Sequence, residues 1–436
     1  MLTPLLVSAG WLMVGCDAPA PRVEPALVFS ERPTNVLVLS LDTLRPELLG
    51  RYTGTDDTPV LDALLAGGVV LEDHQSCSDW TFAAMVCAQA GARGVDLGFA
   101  PVRNNQSFTR LPDDVPLVSE HLSERGYQTA VVTSNSNFSP DVGLVRGFDE
   151  IRHLSGAAAT WVTEETLQAA DALDPTRPWY LHAHYLDPHT PYNPPEEFIG
   201  ELEGEIDFDL NLRDGYRALS AHWYDLPADE QSLVLSHLRE RYLAEYRYMD
   251  RQIGVLLEAL ESRGMLDDTL VIVFSDHGEQ FWEHGAFGHG NSLHGEELAA
   301  LAAFSAPGLP PATWDGPTRI EDIWPTAFEA LGLPIPAGFD GVTAGLRGDD
   351  ALRRSLRVHK DGVSQSAESD GLKLMYWWTG DWELYQVNAD AAERAPLDDA
   401  IAQHLPGLQA AIREEAARLD LMIPERSPVL DEARLP

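Results

Sequence analysis

Two stretches of this chain decide its fold: NVLVLSLDT at residues 35–43 and LVIVFSDHGE at residues 270–279. Each is an apolar run that ends in polar side chains, as expected of a strand buried on both faces of a sheet. Because ligands of open α/β sheets bind beyond the carboxyl ends of the strands, we expect Asp42, Asp276 and His277 to lie together at one edge of the sheet. Taken singly, each aspartate is equally consistent with a helix N-cap or a turn residue.

Other short apolar runs lie between and after these two stretches and are separated by longer helical segments. Further strands are predicted at residues 129–133, 179–186 and 298–305. The clearest helix is predicted at residues 239–263, where apolar residues recur at spacings of three and four and so share one face. Such alternation predicts an α/β fold with a mostly parallel central sheet.

The C-terminal part of the chain has a different pattern of predicted secondary structure. Short antiparallel strands are predicted at residues 355–360, 372–378 and 383–387, followed by a terminal helix at residues 400–419. We therefore predict a catalytic domain at residues 34–348 and a small C-terminal subdomain with an antiparallel sheet at residues 349–436.

The chain is strongly acidic, with 69 Asp and Glu against 30 Lys and Arg in 436 residues and a formal net charge of −39. A nucleic-acid-binding protein needs a basic surface, so this composition excludes nucleic acid as a partner. An anionic substrate would be repelled at long range, and a bound cation would have to supply the local attraction. The simpler interpretation is that the acidity only keeps the surface soluble.

The N-terminus is predicted to be a targeting segment, because residues 2–15 are almost entirely apolar or small and too few to span a bilayer. It ends in LMVGC at residues 12–16, which resembles a bacterial lipoprotein signal with lipid on the Cys16 thiol, although its start carries no Lys or Arg. We predict a signal at residues 1–15, a tether at residues 16–33 and a periplasmic-side envelope lipoprotein held to the membrane by Cys16. A plain secretory signal or a wrongly assigned start codon are the alternatives.

The chemistry of the two strand ends favours a divalent cation. Carboxylate oxygens from Asp42 and Asp276 and an imidazole nitrogen from His277 are typical ligands of such ions. We expect one ion, Ca²⁺ or Mn²⁺ first, with Zn²⁺ or Mg²⁺ as alternatives. A second ion remains open, with candidate ligands His184, His189 and His289.

Six segments of the chain, in order, resemble landmarks of the sulfatase family in the alkaline phosphatase superfamily. They are NVLVLSLDTLRPELLGRY (35–52), TPVLDALLAGGV (58–69), YLDPHTPYNPP (185–195), YRYMDRQIGVLLEALESRGMLDDTLVIVFSDHGEQFWEHGAFGHG (246–290), DIWPTAFEALGLPIP (322–336), and GLKL with ELYQVNADAAER (371–394). The resemblance implies an α/β/α sandwich with a small C-terminal antiparallel sheet. It also implies metal-dependent hydrolysis of a sulfate or phosphate ester.

The resemblance further points to a nucleophile within CSDWTFAAMVCAQAG at residues 77–91. In sulfatases, a Cys matured to formylglycine stands ten positions before the Gly that ends the following helix, and Thr81 stands ten positions before Gly91. The pair Trp80-Thr81 is similar to a branch of the family that uses Thr, whereas Cys77 lacks the Pro and Arg of the maturation motif. Thr81 is therefore the predicted nucleophile and fourth metal ligand. The alternatives are a Thr81 that only caps a helix and a true sulfatase with a modified Cys77.

Physical chemistry supports a hydroxyl at this position, ahead of a helix predicted at residues 82–90. Free backbone N–H groups and the helix dipole at a helix N-terminus favour an anionic ester. A Thr hydroxyl is a poor nucleophile at neutral pH, and coordination to a metal lowers its pKa. Cys77 and Cys87 are either a disulfide pair in an oxidising compartment or two buried apolar residues.

Four polar residues are assigned to the substrate by the same resemblance. His189, in a loop between two prolines, would bind the ester group or protonate the leaving oxygen. His289 falls where many sulfatases carry a Lys and would assist in the same step. His284 and Asn135 are predicted to bind the substrate.

Three further histidines are assigned to the structure rather than to the chemistry. His294 falls where the family often has an aromatic residue. His182 and His184 lie on one face of a predicted strand and are predicted to be packed in the core.

Four departures from the family pattern tilt the prediction from sulfate towards phosphate esters. Thr81 replaces the Cys, Met85 replaces the motif Arg, Thr43 replaces the second acid of the metal pair, and residues 126–137 lack the usual Gly-Lys-Trp-His segment. A formylglycine hydrate expels sulfate by elimination, whereas a sulfo-Thr must be cleared by water attack at sulfur. A phospho-Thr has no such difficulty.

The predicted substrate is an anionic ester of a small molecule, a glycan or a lipid head group. An envelope phospho-group transferase and a non-catalytic envelope lipoprotein are the remaining alternatives.

Overall fold

The computed structural model describes residues 32–99, 110–344, 352–359, 362–397 and 406–422. The predicted signal, Cys16 and nearly all of the predicted tether lie outside these ranges. Within the described ranges, no helix is both long enough and apolar enough to cross a membrane.

The described chain contains sixteen strands and ten α-helices. The strands are β1 (Asn35–Leu41), β2 (Val69–Leu71), β3 (His74–Gln75), β4 (Gln128–Thr133), β5 (Glu150–His153), β6 (Trp179–Tyr185), β7 (Thr269–Ser275), β8 (Gln280–Phe281), β9 (Phe287–Gly288), β10 (Ala302–Ser305), β11 (Ala312–Trp314), β12 (Thr318–Arg319), β13 (Arg353–His359), β14 (Gly362–Ser369), β15 (Leu372–Tyr376) and β16 (Trp382–Gln386). The helices are α1 (Gly50–Thr53), α2 (Pro59–Ala66), α3 (Thr81–Ala90), α4 (Val118–Glu124), α5 (Ala159–Asp171), α6 (Arg213–His222), α7 (Ala228–Ser262), α8 (Gly295–Leu298), α9 (Ile323–Ala330) and α10 (Pro406–Met422).

An eight-stranded sheet with the order β11-β2-β10-β7-β1-β6-β4-β5 forms the centre of the molecule. The strand β1 is parallel to β6 on one side and to β7 on the other. The strands β4 and β5 continue the parallel arrangement, and β10 alone runs antiparallel to its two neighbours. The predicted mostly parallel sheet is therefore confirmed.

Helices cover both faces of this sheet, because alternate residues of each central strand point into two separate cores. Val36 and Val38 of β1 pack on one face with α3, α4 and α9. Leu37, Leu39 and Leu41 pack on the other face with α2, α5, α6 and α7. Each such fully buried side chain stabilises the fold by roughly 1.5–3 kcal/mol. The predicted α/β/α sandwich is confirmed.

The structure differs from the prediction at several elements, and the strands β2, β5 and β11 of the central sheet were not predicted. The long helix α7 begins at Ala228, because Val234 and Leu238 extend its buried face towards the N-terminus. The strand β10 begins only at Ala302, since Leu298 is the last residue of the short helix α8 and a connecting segment follows it. The strand β14 was not predicted, because its sequence GVSQSAES is mostly polar although its side chains at positions 363–368 are buried.

A separate antiparallel sheet with the order β13-β14-β15-β16 follows in the chain, as predicted. The helix α10 packs on it through Leu408, Ala411 and Ile412. Lys373 of this sheet forms a buried ion pair with Glu393, at 2.7 Å and with side chains 1% and 3% exposed. The Glu393 carboxylate also accepts a hydrogen bond from the Gly295 N–H at the start of α8, so it links the small sheet to the large one.

Removing the Lys373 cation should destabilise the protein strongly, because the Glu393 carboxylate would stay buried without a counter-ion. For Lys373→Ala we expect a loss of about 3–5 kcal/mol in the free energy of unfolding, measured by urea denaturation. The exposed pair Arg251–Glu197, with side chains 61% and 67% exposed, provides the control. Arg251→Ala should cost less than about 1 kcal/mol. Equal losses in the two variants would contradict a structural role for the buried pair.

Candidate active site

The parallel pairing of β1 with β7 places Asp42 beside Asp276. Leu41 is the register partner of Ser275, so the next residue of each strand emerges at the same edge of the sheet. The Thr43 N–H donates a 3.1 Å hydrogen bond to Asp276 Oδ1 and locks the two strand ends together. The ligand atoms of Asp42, Asp276 and His277 lie within 4.8 Å of one another, and all three side chains are fully buried.

This trio fits a divalent cation. His277 Nδ1 is 2.9 Å from the Gly278 carbonyl and must donate to it, so Nε2 keeps its lone pair. That lone pair faces Asp42 Oδ1 at 3.8 Å and Asp276 Oδ2 at 3.4 Å. Among the described residues, Asp276 Oδ2 has no hydrogen-bond partner. Carboxylate and imidazole ligands that converge in this way are those that divalent ions prefer.

The pKa values of the two carboxyl groups show the same need for a cation. Burial raises the pKa of Asp276 well above its ordinary value, and the negative charge of Asp42 raises it further. Burial acts in the same direction on Asp42, but contact with His184 and the charges of His189 and His277 hold its pKa below the ordinary value. A divalent cation would allow both groups to ionise.

Thr81 faces this trio from the first residue of α3. Its Oγ1 lies 3.4 Å from Asp42 Oδ1 and 3.3 Å from His277 Nε2. The N-cap position belongs to Trp80, and the helix begins at Thr81. The alternative that Thr81 is only a helix cap is therefore wrong, because its side chain points into the cluster.

Gly91, which stands ten positions after Thr81, ends α3 as predicted. Gly91 has a φ of 62°, in the left-handed region. A Cβ at this position would also lie 2.3 Å from the Phe339 ring. Both the backbone conformation and the close ring therefore require glycine here.

Cys77 and Cys87 form a disulfide across the start of α3, which settles the alternatives left open for these residues. The bond joins the segment before Thr81 to the middle of the helix that Thr81 begins. The alternative of a modified Cys77 nucleophile is wrong for this structure, because its sulfur is already bonded to Cys87.

Asn135 joins the cluster from the end of β4. Its Nδ2 hydrogen-bonds to Asp42 Oδ2 and lies 3.3 Å from Thr81 Oγ1. Its Oδ1 accepts a 2.7 Å hydrogen bond from the Asn137 N–H, which orients the amide nitrogen towards the site. The structure thus brings Asn135 to the Thr81 hydroxyl.

His189 and His289 lie edge to face next to the trio. The His289 ring centroid is 4.6 Å from that of His277 and 4.8 Å from that of His189. His189 Nδ1 donates to the Thr190 carbonyl, and His289 Nδ1 lies 3.0 Å from Glu279 Oε1. Burial lowers the pKa of His189 and raises that of Glu279 to about 7.

His284 contacts a different set of residues. Its Nδ1 pairs with Glu296, its Nε2 lies 2.8 Å from the Glu393 carbonyl oxygen, and its ring stacks on His294 with centroids 3.5 Å apart. These contacts run towards the C-terminal sheet and not to Thr81, so its predicted role in substrate binding stays a prediction. His294 is buried under this ring.

The sequence analysis assigned no role to Glu279 and placed His184 first in the core. His184 is fully buried, as predicted, and its Nε2 also lies 3.5 Å from Asp42 Oδ2. Glu279 is fully buried and contacts His289. The sequence signal for Glu279 was its place directly after the Asp276-His277-Gly278 stretch, whereas His184 becomes visible only once β6 is known to lie beside β1.

Known proteins with similar sequences and folds are sulfatases and related hydrolases. A sequence model of the sulfatase family matches residues 34–333. The choline-sulfatase of Rhizobium meliloti (strain 1021) is 26% identical over 88% of this chain and 90% of its own length. The delta 4,5-hexuronate-2-O-sulfatase of Bacteroides thetaiotaomicron is 23% identical over 84% of this chain and 85% of its own. The phosphonate monoester hydrolase of Silicibacter pomeroyi shares the fold with a TM-score of 0.66 and 18% identity, covering 89% of this chain and 96% of its own.

Bound metal should stabilise the protein through Asp276. Adding Ca²⁺ or Mn²⁺ at about one hundred times its Kd should raise the free energy of unfolding by about 2.7 kcal/mol, and a chelator should reverse this. Asp276→Asn should lose most of this response, measured by urea denaturation with and without metal. Asp250→Asn is the control, because that buried carboxylate instead accepts the Val60 and Leu61 N–H groups at the start of α2. The prediction fails if Asp276→Asn responds to metal as the unmodified protein does.

Proposed function

This chain belongs to the sulfatase family and hydrolyses sulfate or phosphate esters, and we propose that it does so through a covalent intermediate on Thr81, with phosphate esters as the preferred class. The observation that carries this proposal is the position of Thr81 Oγ1. It lies 3.3–3.5 Å from Asp42 and His277 at the N-terminus of a ten-residue helix.

Asp42, Thr81, Asp276 and His277 would hold one divalent cation, with Ca²⁺ or Mn²⁺ as the first candidates. When bound, such an ion lowers the pKa of the Thr81 hydroxyl and neutralises negative charge on the transferred group.

The first step joins the transferred group to Thr81. The Thr81 hydroxyl gives up its proton to the Asp42 carboxylate, whose two oxygens lie 3.4 Å and 3.5 Å from Thr81 Oγ1, so that one can accept the proton while the other would hold the ion. Its oxygen forms a bond to phosphorus as the bond from phosphorus to the leaving oxygen breaks. The leaving oxygen takes a proton from His189 or His289, whose adjacent rings border the trio.

The second step releases the transferred group. Water attacks phosphorus, the Thr81 oxygen leaves and regains its proton from Asp42, and the same histidines accept the proton from the attacking water. The contact of His289 with the buried Glu279 orients the ring for both transfers.

Thr81 itself favours phosphate over sulfate. A threonine ester has no second hydroxyl that could expel the group by elimination, so every turnover needs displacement at the central atom. Displacement at phosphorus between clamped oxygens is a common enzymatic reaction. The substrate class is accordingly an anionic phosphate ester of a small molecule, a glycan or a lipid head group. We place the protein in the cell envelope, anchored through lipid on Cys16.

Substitution of Thr81 tests the nucleophile. Thr81→Ala should lower kcat by about 10⁴-fold or more, because no other hydroxyl can form the intermediate, while the metal-induced stabilisation persists. Thr81→Ser should retain measurable turnover. The assay uses nitrophenyl phosphate, bis-nitrophenyl phosphate and nitrophenyl sulfate with Ca²⁺, Mn²⁺, Zn²⁺ or Mg²⁺. Thr166→Ala, which removes a buried threonine hydroxyl from α5, is the matched control and should keep full activity.

A second measurement detects the intermediate directly. Acid quenching during turnover should leave one phosphate on the peptide that contains Thr81, seen by mass spectrometry, and none in Thr81→Ala. Full activity of Thr81→Ala would rule out the proposed nucleophile. A clear preference for nitrophenyl sulfate would overturn the substrate class.

A further inference from the structure

A line of buried polar side chains leads from the core of the sheet to the active site. Tyr180 Oη lies 3.0 Å from His182 Nδ1, and His182 Nε2 lies 2.7 Å from Ser40 Oγ. Ser40 Oγ also lies 2.7 Å from His184 Nδ1, and His184 Nε2 reaches to 3.5 Å from Asp42 Oδ2. These side chains are fully buried.

The topology of the sheet builds this line. Tyr180, His182 and His184 are alternate residues of β6 and so point to the same face. Ser40 on the adjacent strand β1 is the register partner of His184, which brings its hydroxyl between the two imidazoles. The rings of Phe138 and Phe274 pack around the histidines and surround the line with apolar groups.

The Tyr180 hydroxyl determines which atom donates in each hydrogen bond of this line. Burial raises the pKa of Tyr180 well above its ordinary value, so the phenol keeps its proton and donates it to His182 Nδ1.

The positions of the protons on His182, Ser40 and His184 then follow. With Nδ1 accepting, a neutral His182 carries its proton on Nε2 and donates to Ser40 Oγ. The Ser40 hydroxyl can then donate only to His184 Nδ1. A neutral His184 is left with its proton on Nε2, on the side of Asp42.

The Nε2–H of His184 lies 3.5 Å from Asp42 Oδ2 but forms no hydrogen bond with it or with any other described residue, although the side chain is fully buried. Buried donors are almost always satisfied, so an unsatisfied one beside Asp42 indicates a missing ligand atom. The Asn135 amide nitrogen also reaches Asp42 Oδ2, and it lies 3.3 Å from Thr81 Oγ1, so two N–H donors converge on one carboxylate oxygen next to the proposed nucleophile.

We propose that His184 is a further substrate-binding residue, whose Nε2–H donates to a non-bridging oxygen of the bound ester and of the group on Thr81. Tyr180, His182 and Ser40 act as positioning residues that hold the proton on Nε2. This inference rests on the proposed ester hydrolysis at Thr81. It distinguishes His184 from a metal ligand, because a ligand nitrogen would need the reverse order of donors, with His182 Nδ1 donating to the Tyr180 oxygen.

Two substitutions at His184 separate a donor from a space-filling residue. His184→Leu keeps the bulk and removes the N–H, and should lower kcat/KM by about 10²-fold, the usual effect of losing one such donor. His184→Gln offers an amide N–H of similar reach and should recover most of this loss. The affinity for Mn²⁺ or Ca²⁺, measured by calorimetry, should stay within about threefold of the unmodified protein, since a donor to the ester is not a ligand.

Inorganic phosphate provides a readout that does not depend on turnover. With metal present, its Kd should rise by about tenfold or more in His184→Leu and little in His184→Gln. If the unmodified protein hydrolyses no ester in the panel, the proposed function fails, and the phosphate measurement still tests His184.

The positioning residues Tyr180 and Ser40 are tested by substitution, with Tyr185 on the same strand as Tyr180 as the matched control. Tyr180→Phe and Ser40→Ala should each lower kcat/KM by less than His184→Leu does, with metal affinity unchanged. Tyr185→Phe removes an equally buried hydroxyl that pairs with Thr163 on the opposite face of the sheet, and should leave kcat/KM unchanged. The inference is overturned if His184→Leu loses metal affinity by a hundredfold, which would make His184 a ligand, or if its kcat/KM and phosphate affinity both equal those of the unmodified protein.

Discussion

Two buried carboxylates held side by side are the constraint on which the rest of the site depends. The register of β1 against β7 fixes Asp42 next to Asp276, and both are removed from water. Two like charges cannot persist in such a place without compensation. The lone pair of His277 Nε2, the Thr81 hydroxyl and the Asn135 amide all turn towards this point, which is the arrangement that a divalent cation and an anionic group would complete.

The need of the two buried carboxylates for a cation also explains how an acidic protein could bind an anionic substrate. The net charge of −39 repels phosphate and sulfate esters at a distance. In the proposed mechanism, the attraction at short range would come from a cation on Asp42, Asp276 and His277 and from the N-terminus of α3. Selectivity would then depend on geometry within a few ångströms of Thr81 and not on the overall field.

The sequence predicted the parts of the site that follow directly from local pattern. Asp42 and Asp276-His277 each end a continuous apolar run, whereas Thr81 followed from the resemblance to sulfatases, which places the nucleophile ten positions before Gly91. The sequence left the role of His184 open, because whether a strand histidine only packs or also reaches a site depends on which strand lies beside it, and β6 lies beside β1 although the two are far apart in the chain. The strand β14 was not predicted for another reason, since its buried residues include two serines and a glutamine, and such a polar sequence resembles a loop.

The disulfide between Cys77 and Cys87 has a consequence for how an active protein can be made. Enzymes that use formylglycine need a cysteine that is matured after synthesis. In this chain the proposed reacting group is encoded by the gene itself, and the two nearby cysteines are bonded to each other. With Thr81 as the nucleophile, production of an active protein would need a compartment that forms disulfides and no maturation of a cysteine.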